Sequence, residues 1–261
     1  MTSITLAADP RAPLARRNPT VKAALLLVVS LGVILLDAPA PLLVLWLLAL
    51  TVGRWAAGLR WRTLLLAQLP FLLFAVGVVS VNALTRPGEP LLDAPVHVSA
   101  EGTVLGVAFA LRGFVIGTGT IAFLASTPPR ELMTSLVQHA RLSPRYAAAL
   151  LAGHRMLEAM PQRWAVIRAA QAVRAPVGRR GRPRSGVGGF ARSAFALLVA
   201  SIRSSERIAL ALESRGLGDG PRTIWRPVPL TRADALLAAA VPLAFAAVVA
   251  ACALTLGWGA V

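Results

Sequence analysis

The chain has 261 residues, of which 56% are hydrophobic and 15% charged, and its mean hydropathy is +0.68. Soluble domains average about 45–50% apolar and about 25% charged residues, and here the apolar residues are bunched into runs, so the composition excludes a soluble globular protein and predicts an all-α, polytopic membrane protein. A net charge of +16, with 26 of the 27 basic residues Arg, raises the question of nucleic acid, but most of the aromatics lie in or beside apolar runs and none forms a base-stacking platform.

Residues 1–22 form an N-terminal segment bearing Arg11, Arg16, Arg17 and Lys22. Long apolar sequence follows instead of a cleavage site and a polar mature chain, which reads as a signal anchor. The membrane bundle is expected over 23–125. Its first block, Ala23 to Gly53, is too long for one ordinary span of about 20 residues and is interrupted by Asp37-Ala38-Pro39-Ala40-Pro41. One kinked helix or two short ones would fit the run. Positive charge on both flanks, with Arg54, Arg60 and Arg62 after it, favours a hairpin with both ends cytoplasmic. Each arm is short, which calls for tilt or bilayer thinning.

Thr63 to Leu84 reads as a clean span containing Gln68 and ending at Asn82. The segment Thr85 to Gly102, with Arg86, Glu89, Asp93 and Glu101, is net −2 and reads as external. Thr103 to Ala125 returns inward and carries Arg112. A charge at such a position should face protein or water. It would bond a partner subunit, or pair inside the bundle with backbone carbonyls or a side chain such as Gln68 or Asn82. A last span over 233–258 has Asp234 at its inner end and the lone cysteine, Cys252, which rules out an intrachain disulfide. Five crossings are predicted, with the N-terminus inside and the C-terminus outside.

The cytoplasmic insert, 126–232, holds 18 Arg and five acidic residues, a net of +13. The positive-inside rule and attraction to anionic membrane lipid account for the average arginine there. Thr127-Pro128 is expected to cap a helix to about Ala140, and Ser143-Pro144 a second, Arg145 to Met160, which Pro161 restarts or kinks before the pattern continues to Ala175. Gly178 to Gly186 is a Gly/Pro/Arg-rich linker, and a third helix, from about Phe190 to Arg215, should stop at Gly216. Phe195, Leu198, Ile202, Ala209 and Leu212 form a stripe on it at helical spacing, suited to a neighbouring helix, a membrane surface or a protein partner. Arg174 and Arg215 each sit among small residues at an Ala-rich helix end. A cation there complements the helix dipole, and small neighbours also leave a guanidinium open for bidentate bonding to a partner's carboxylate.

His139 and His154 fall on the insert and His97 outside, so they cannot share a site on this topology. His154 and Glu158 read as a surface pair. No His-Glu-x-x-His, paired-carboxylate or phosphate-loop motif is visible, and the chain is expected not to be an enzyme. A self-sufficient carrier or channel would line its spans with polar groups near the midplane, and apart from Arg112 these spans offer few.

Several strings together carry a resemblance: Asn18-Pro19-Thr20-Val21-Lys22, Ser126-Thr127-Pro128-Pro129-Arg130-Glu131-Leu132, Gln171-Ala172-Val173-Arg174 and, most specifically, Glu206-Arg207-Ile208-Ala209-Leu210-Ala211-Leu212-Glu213-Ser214-Arg215-Gly216-Leu217-Gly218. Over nearly its whole length the chain resembles the transmembrane T component of energy-coupling factor (ECF) transporters, the EcfT/CbiQ family. That resemblance implies a bacterial or archaeal cell-membrane protein that couples two cytoplasmic ABC ATPase subunits to a separate membrane-embedded substrate-binding S component. Such a complex takes up a vitamin or metal micronutrient. It implies ATPase docking through Val173-Arg174-Ala175 and Ser214-Arg215-Gly216, with Ala175 standing where the family usually has Gly. It also implies no cofactor on this chain, ATP being bound by the partner ATPases.

Overall fold

The computed structural model describes residues 11–89, 98–174, 186–217, 224 and 226–256, which form eight helices and no strand. They are α1 (Pro19–Ile34), α2 (Pro39–Trp55), α3 (Trp61–Thr85), α4 (Ala100–Ser126), α5 (Pro129–His139), α6 (Pro144–Arg174), α7 (Val187–Ser214) and α8 (Arg232–Leu256). The chain divides into two compact units, one built from residues up to 135 together with 228 onward, the other from 136–227.

In the first unit the break at Asp37 makes two helices. Residues 36–38 leave the helical path, and Pro39 opens α2 where a missing N–H costs nothing. The Leu14 N–H donates to the Ala56 carbonyl at 2.9 Å, so the chain before α1 lies beside the end of α2. The run is therefore two helices folded back on each other and not one kinked helix. Its arms have 16 and 17 residues, whereas α3, α4 and α8 are long and apolar enough to cross a membrane.

Helix α4 is the central element. Val33, Leu36, Leu42, Leu45, Ala108 and Val115 make one apolar core between the hairpin and α4, with Phe245, Val248 and Val249 of α8 packed on it. A second core joins Ala57, Leu59 and Leu64 to Ile121 and Ala122. Helices α3 and α4 approach most closely at Gly102 and Gly106. A Cβ on Gly106 would stand 2.8 Å from the Cα of Val79, and one on Gly102 would overlap the Asn82 carbonyl oxygen. This small-xxx-small spacing lets two helices meet where there is no hydrophobic drive between them in lipid. Between them the Gln68 side-chain amide donates to the Thr118 hydroxyl at 2.7 Å. Large apolar side chains such as Leu73, Phe74 and Leu243 face outward.

The expected cap at Thr127 does not form. The Leu132 N–H bonds to the Pro128 carbonyl, so α5 starts one residue later than the Thr127-Pro128 pattern predicts, and the Thr127 hydroxyl is buried without a partner. Proline in both positions 128 and 129 explains the shift, because the second proline also fits a first helical position.

In the second unit α6 runs unbroken through Pro161. Arg163 donates to the Ser204 hydroxyl at 3.3 Å, and Trp164 meets Phe190 edge-on at 5.3 Å. Adjacent residues of α6 thus reach points on α7 about 21 Å apart, so α7 passes across α6 there instead of running alongside it. The proposed linker at 178–186 lies, but for Gly186, outside the described residues, as do Ala175, Asp93, His97 and Trp258.

Candidate functional site

Two regions concern the candidate residues: the ends of α6 and α7, which carry Arg174 and Arg215, and a buried polar junction where the first unit's helix ends converge.

Helix α7 closes at Arg215. The Gly216 N–H donates to the Glu213 carbonyl at 2.8 Å and the Leu217 N–H to the Leu212 carbonyl at 2.9 Å. Gly216 has φ +74°, the left-handed conformation that this Schellman closure demands and that glycine adopts without strain. Arg215 is the C-cap and is exposed. The closure fixes the backbone on both sides of it, so a mobile side chain is presented from a rigid point. Ser214 donates to the Ala211 carbonyl at 3.1 Å, which turns its hydroxyl back onto the helix. At the end of α6, Val173 and Arg174 are also exposed, with Arg174 in the last helical turn.

The apolar stripe on α7 is not covered by α6. Phe195, Leu198 and Ile202 are all about half exposed or more, so packing against a neighbour within the chain does not explain them. On α6, Tyr146, Leu150 and Leu157 line an open groove of about 680 Å³ with Gly153 and His154. His154 and Glu158 stand 3.4 Å apart, both exposed.

The polar junction was not legible as a site in the sequence. Asn18 caps α1, its side-chain oxygen accepting from the Thr20 N–H at 2.9 Å. The same oxygen accepts from the Ser135 hydroxyl of α5 at 2.7 Å, and the Thr20 and Ser135 hydroxyls are 2.6 Å apart. The Asn18 backbone N–H donates to Asp234 at 3.0 Å. The second carboxylate oxygen of Asp234 accepts from both the N–H (2.8 Å) and the hydroxyl (2.7 Å) of Thr231. Thr231 and Asp234 thus form a capping box on α8, with Asp in the place usual for Glu. Lys22 is buried and donates to the carbonyls of Ser126 (2.9 Å) and Leu14 (3.2 Å). Each charge complements a helix dipole, the carboxylate at the start of α8 and the ammonium at the end of α4. Four helices and the N-terminal segment are tied together by side chains of which Asn18, Lys22, Ser135 and Asp234 are all at least 95% buried. The string Asn18 to Lys22 and the position of Asp234 were visible beforehand; the bond joining them, across 216 positions, had no local pattern to announce it. The Gly102–Gly106 spacing did have one.

Arg112 pairs inside the bundle, but neither Gln68 nor Asn82 is its partner. Gln68 is engaged with Thr118 and Asn82 with the Val78 carbonyl. Arg112 instead donates to the Leu36 carbonyl through Nε (3.1 Å) and Nη2 (2.7 Å), and to Asp37 at 2.7 Å. Its guanidinium also lies over Phe109, 4.8 Å from the ring centroid. The hairpin turn supplies free carbonyls because its proline-rich exit prevents the helix from continuing, and those carbonyls lie nearer than any polar side chain on α3.

No curated protein sequence matches this one closely enough to count as a relative. The family model described as CbiQ, cobalt transport protein, matches residues 10–223. With apolar helices, a polar tie at their ends and a family match over most of its length, this chain belongs to the CbiQ cobalt transport protein family and is a membrane component of a transporter.

Proposed function

We propose that the chain is the transmembrane coupling subunit of an ECF-type ABC importer. Two cytoplasmic ABC ATPase subunits dock on the ends of α6 and α7, through Val173-Arg174-Ala175 and Ser214-Arg215-Gly216, and ATP is bound by them. Their motion passes along the two helices to a separate membrane-embedded substrate-binding subunit. The cargo is a vitamin or metal micronutrient, and the family's description, which names cobalt, favours a metal cation. The exposed stripes on α6 and α7 suit apolar partner surfaces, and the chain's own role is mechanical, not catalytic.

The observation that carries this reading is the presentation of Arg215, an exposed guanidinium on a rigid, glycine-closed helix end. Such an end offers a planar, bidentate donor to a carboxylate at low entropic cost. The test is copurification in mild detergent. The wild-type chain brings down two ATPase chains and a small apolar membrane protein, and Arg215→Glu reaches the membrane in normal amount yet loses the ATPases and transport. If Arg215→Glu transports normally, the docking assignment is wrong. Recovery of the wild-type chain alone would favour a carrier that works without an ATPase.

A further inference from the structure

We propose that α1 and α2 form a re-entrant hairpin whose tip, pinned by Arg112, is the floor of a water-filled recess open to the side opposite the arginine-rich flanks. The argument begins with heights along the bundle. Lys22 and Arg54 mark the charged end of the hairpin, and from Lys22 to Asp37 the chain climbs about 22 Å at 1.5 Å per residue. A hydrocarbon core is about 30 Å thick.

The neighbouring helices go further. Arg112 meets the Leu36 carbonyl in the middle of α4, and α4 continues from there to Ala100, about 18 Å more. Helix α3 accompanies it, since the Ser99 N–H bonds to the Ala83 carbonyl at 2.9 Å and Gly102 lies against Asn82. Helix α8 passes the level of the turn at Val248 and Val249, which pack on the core containing Leu36 and Leu42. It then continues to Leu256, about 10 Å beyond. Three helices therefore overtop the tip by about 10–18 Å.

At the tip, Leu35 is 82% exposed and the Asp37 side chain is 73% exposed, while that of Arg112 is 13% exposed. A carboxylate that open, at that depth, is incompatible with hydrocarbon around it. Non-helical backbone at membrane depth is tolerated where protein or water surrounds it; Leu36 and Ala38 are buried against the bundle, and the open Asp37 carboxylate between them requires water at the tip. The chain then makes three full crossings in place of five, and its two ends remain on opposite sides.

The test uses single cysteines in the full-length Cys252→Ala chain in intact cells. Leu35→Cys reports on the tip and Arg86→Cys on the outer end of α3. Leu73→Cys, at a residue 80% exposed on the apolar flank of α3, reports on lipid. A small, charged, membrane-impermeant methanethiosulfonate is expected to modify Leu35→Cys and Arg86→Cys but not Leu73→Cys. A long polyethylene-glycol maleimide should modify Arg86→Cys alone, with complete loss of labelling at the tip. Labelling of Leu35→Cys by the long reagent as readily as Arg86→Cys would place the tip at the surface and overturn the proposal. So would failure of the small reagent at the tip, which would mean that lipid or protein seals it. Ile34→Cys, on the same turn and 55% exposed, repeats the measurement should Leu35→Cys fail to reach the membrane.

Discussion

Replacing Asn18 with Ala isolates what the buried junction contributes. The substitution removes the cap on Thr20 (2.9 Å), the acceptor for Ser135 (2.7 Å) and a long 3.4 Å bond to the Val228 carbonyl. It leaves untouched the bond from the backbone N–H of residue 18 to Asp234. Loss of an Asn N-cap costs about 1 kcal/mol. The lost bond to Ser135 costs about 1 kcal/mol more, and not the full penalty of an orphaned hydroxyl, because Ser135 keeps its contact with Thr20. The long bond adds little, so the expected destabilisation is about 2 kcal/mol, or about 4–8 °C in Tm for a chain of this size. Thermal unfolding of the purified protein in detergent, followed by circular dichroism, measures it. A double-mutant cycle with Ser135→Ala should return a coupling of about 1 kcal/mol between the two positions. An unchanged Tm, or strictly additive single effects, would refute the claim that Asn18 is what holds α5 to α1.

Gly106→Ala puts a methyl group 2.8 Å from the Cα of Val79, and since backbone must yield, it should cost about 1–3 kcal/mol in the same unfolding assay. Gly216→Ala forces a left-handed residue, at about 1 kcal/mol, and is expected to loosen ATPase copurification while Arg215 is retained. Arg112→Leu, which strips the Leu36 carbonyl of both its donors, should lower Tm more than Asp37→Asn. The exposed carboxylate contributes about 1 kcal/mol or less, and equal losses would show that the ion pair, not the carbonyl bonds, holds the turn.

The helical register of the chain was legible because lipid imposes it. An apolar run of a given length, flanked by arginines, has few other structures open to it, and the break at Asp37, the glycine stop at 216 and the helix through 187–214 follow from local chemistry, whereas α6 continues through Pro161 without the restart that a proline invites. The end of α7 was readable for the same reason, since a Schellman closure is written in consecutive residues. The junction was not, because its bonds depend on where distant helix ends meet. Asn18, Ser135 and Asp234 look unremarkable in their own neighbourhoods and become partners only after α1, α5 and α8 converge. Arg112 lies between these cases. Its need for a partner was evident from its surroundings, but the partner is a backbone carbonyl, and every residue has one of those. The close approach of α3 and α4 at Gly102 and Gly106 was written in the sequence as a four-residue spacing of glycines.

The buried interior of the first unit sets Asn18, Thr118, Ser126, Ser135 and Asp234 beside apolar residues such as Val33, Leu42 and Leu64, while other large apolar side chains, Leu65, Leu73, Phe74 and Leu243 among them, look outward. Mutational tolerance in this bundle should therefore run opposite to that of a soluble protein. Its outward-facing apolar positions, Leu73 and Leu243 among them, are free to drift among Leu, Ile, Val and Phe, for one hydrocarbon side chain serves as well as another against lipid tails. Identity is pinned at the modest residues, where a single added methyl or missing hydroxyl is felt by two helices at once.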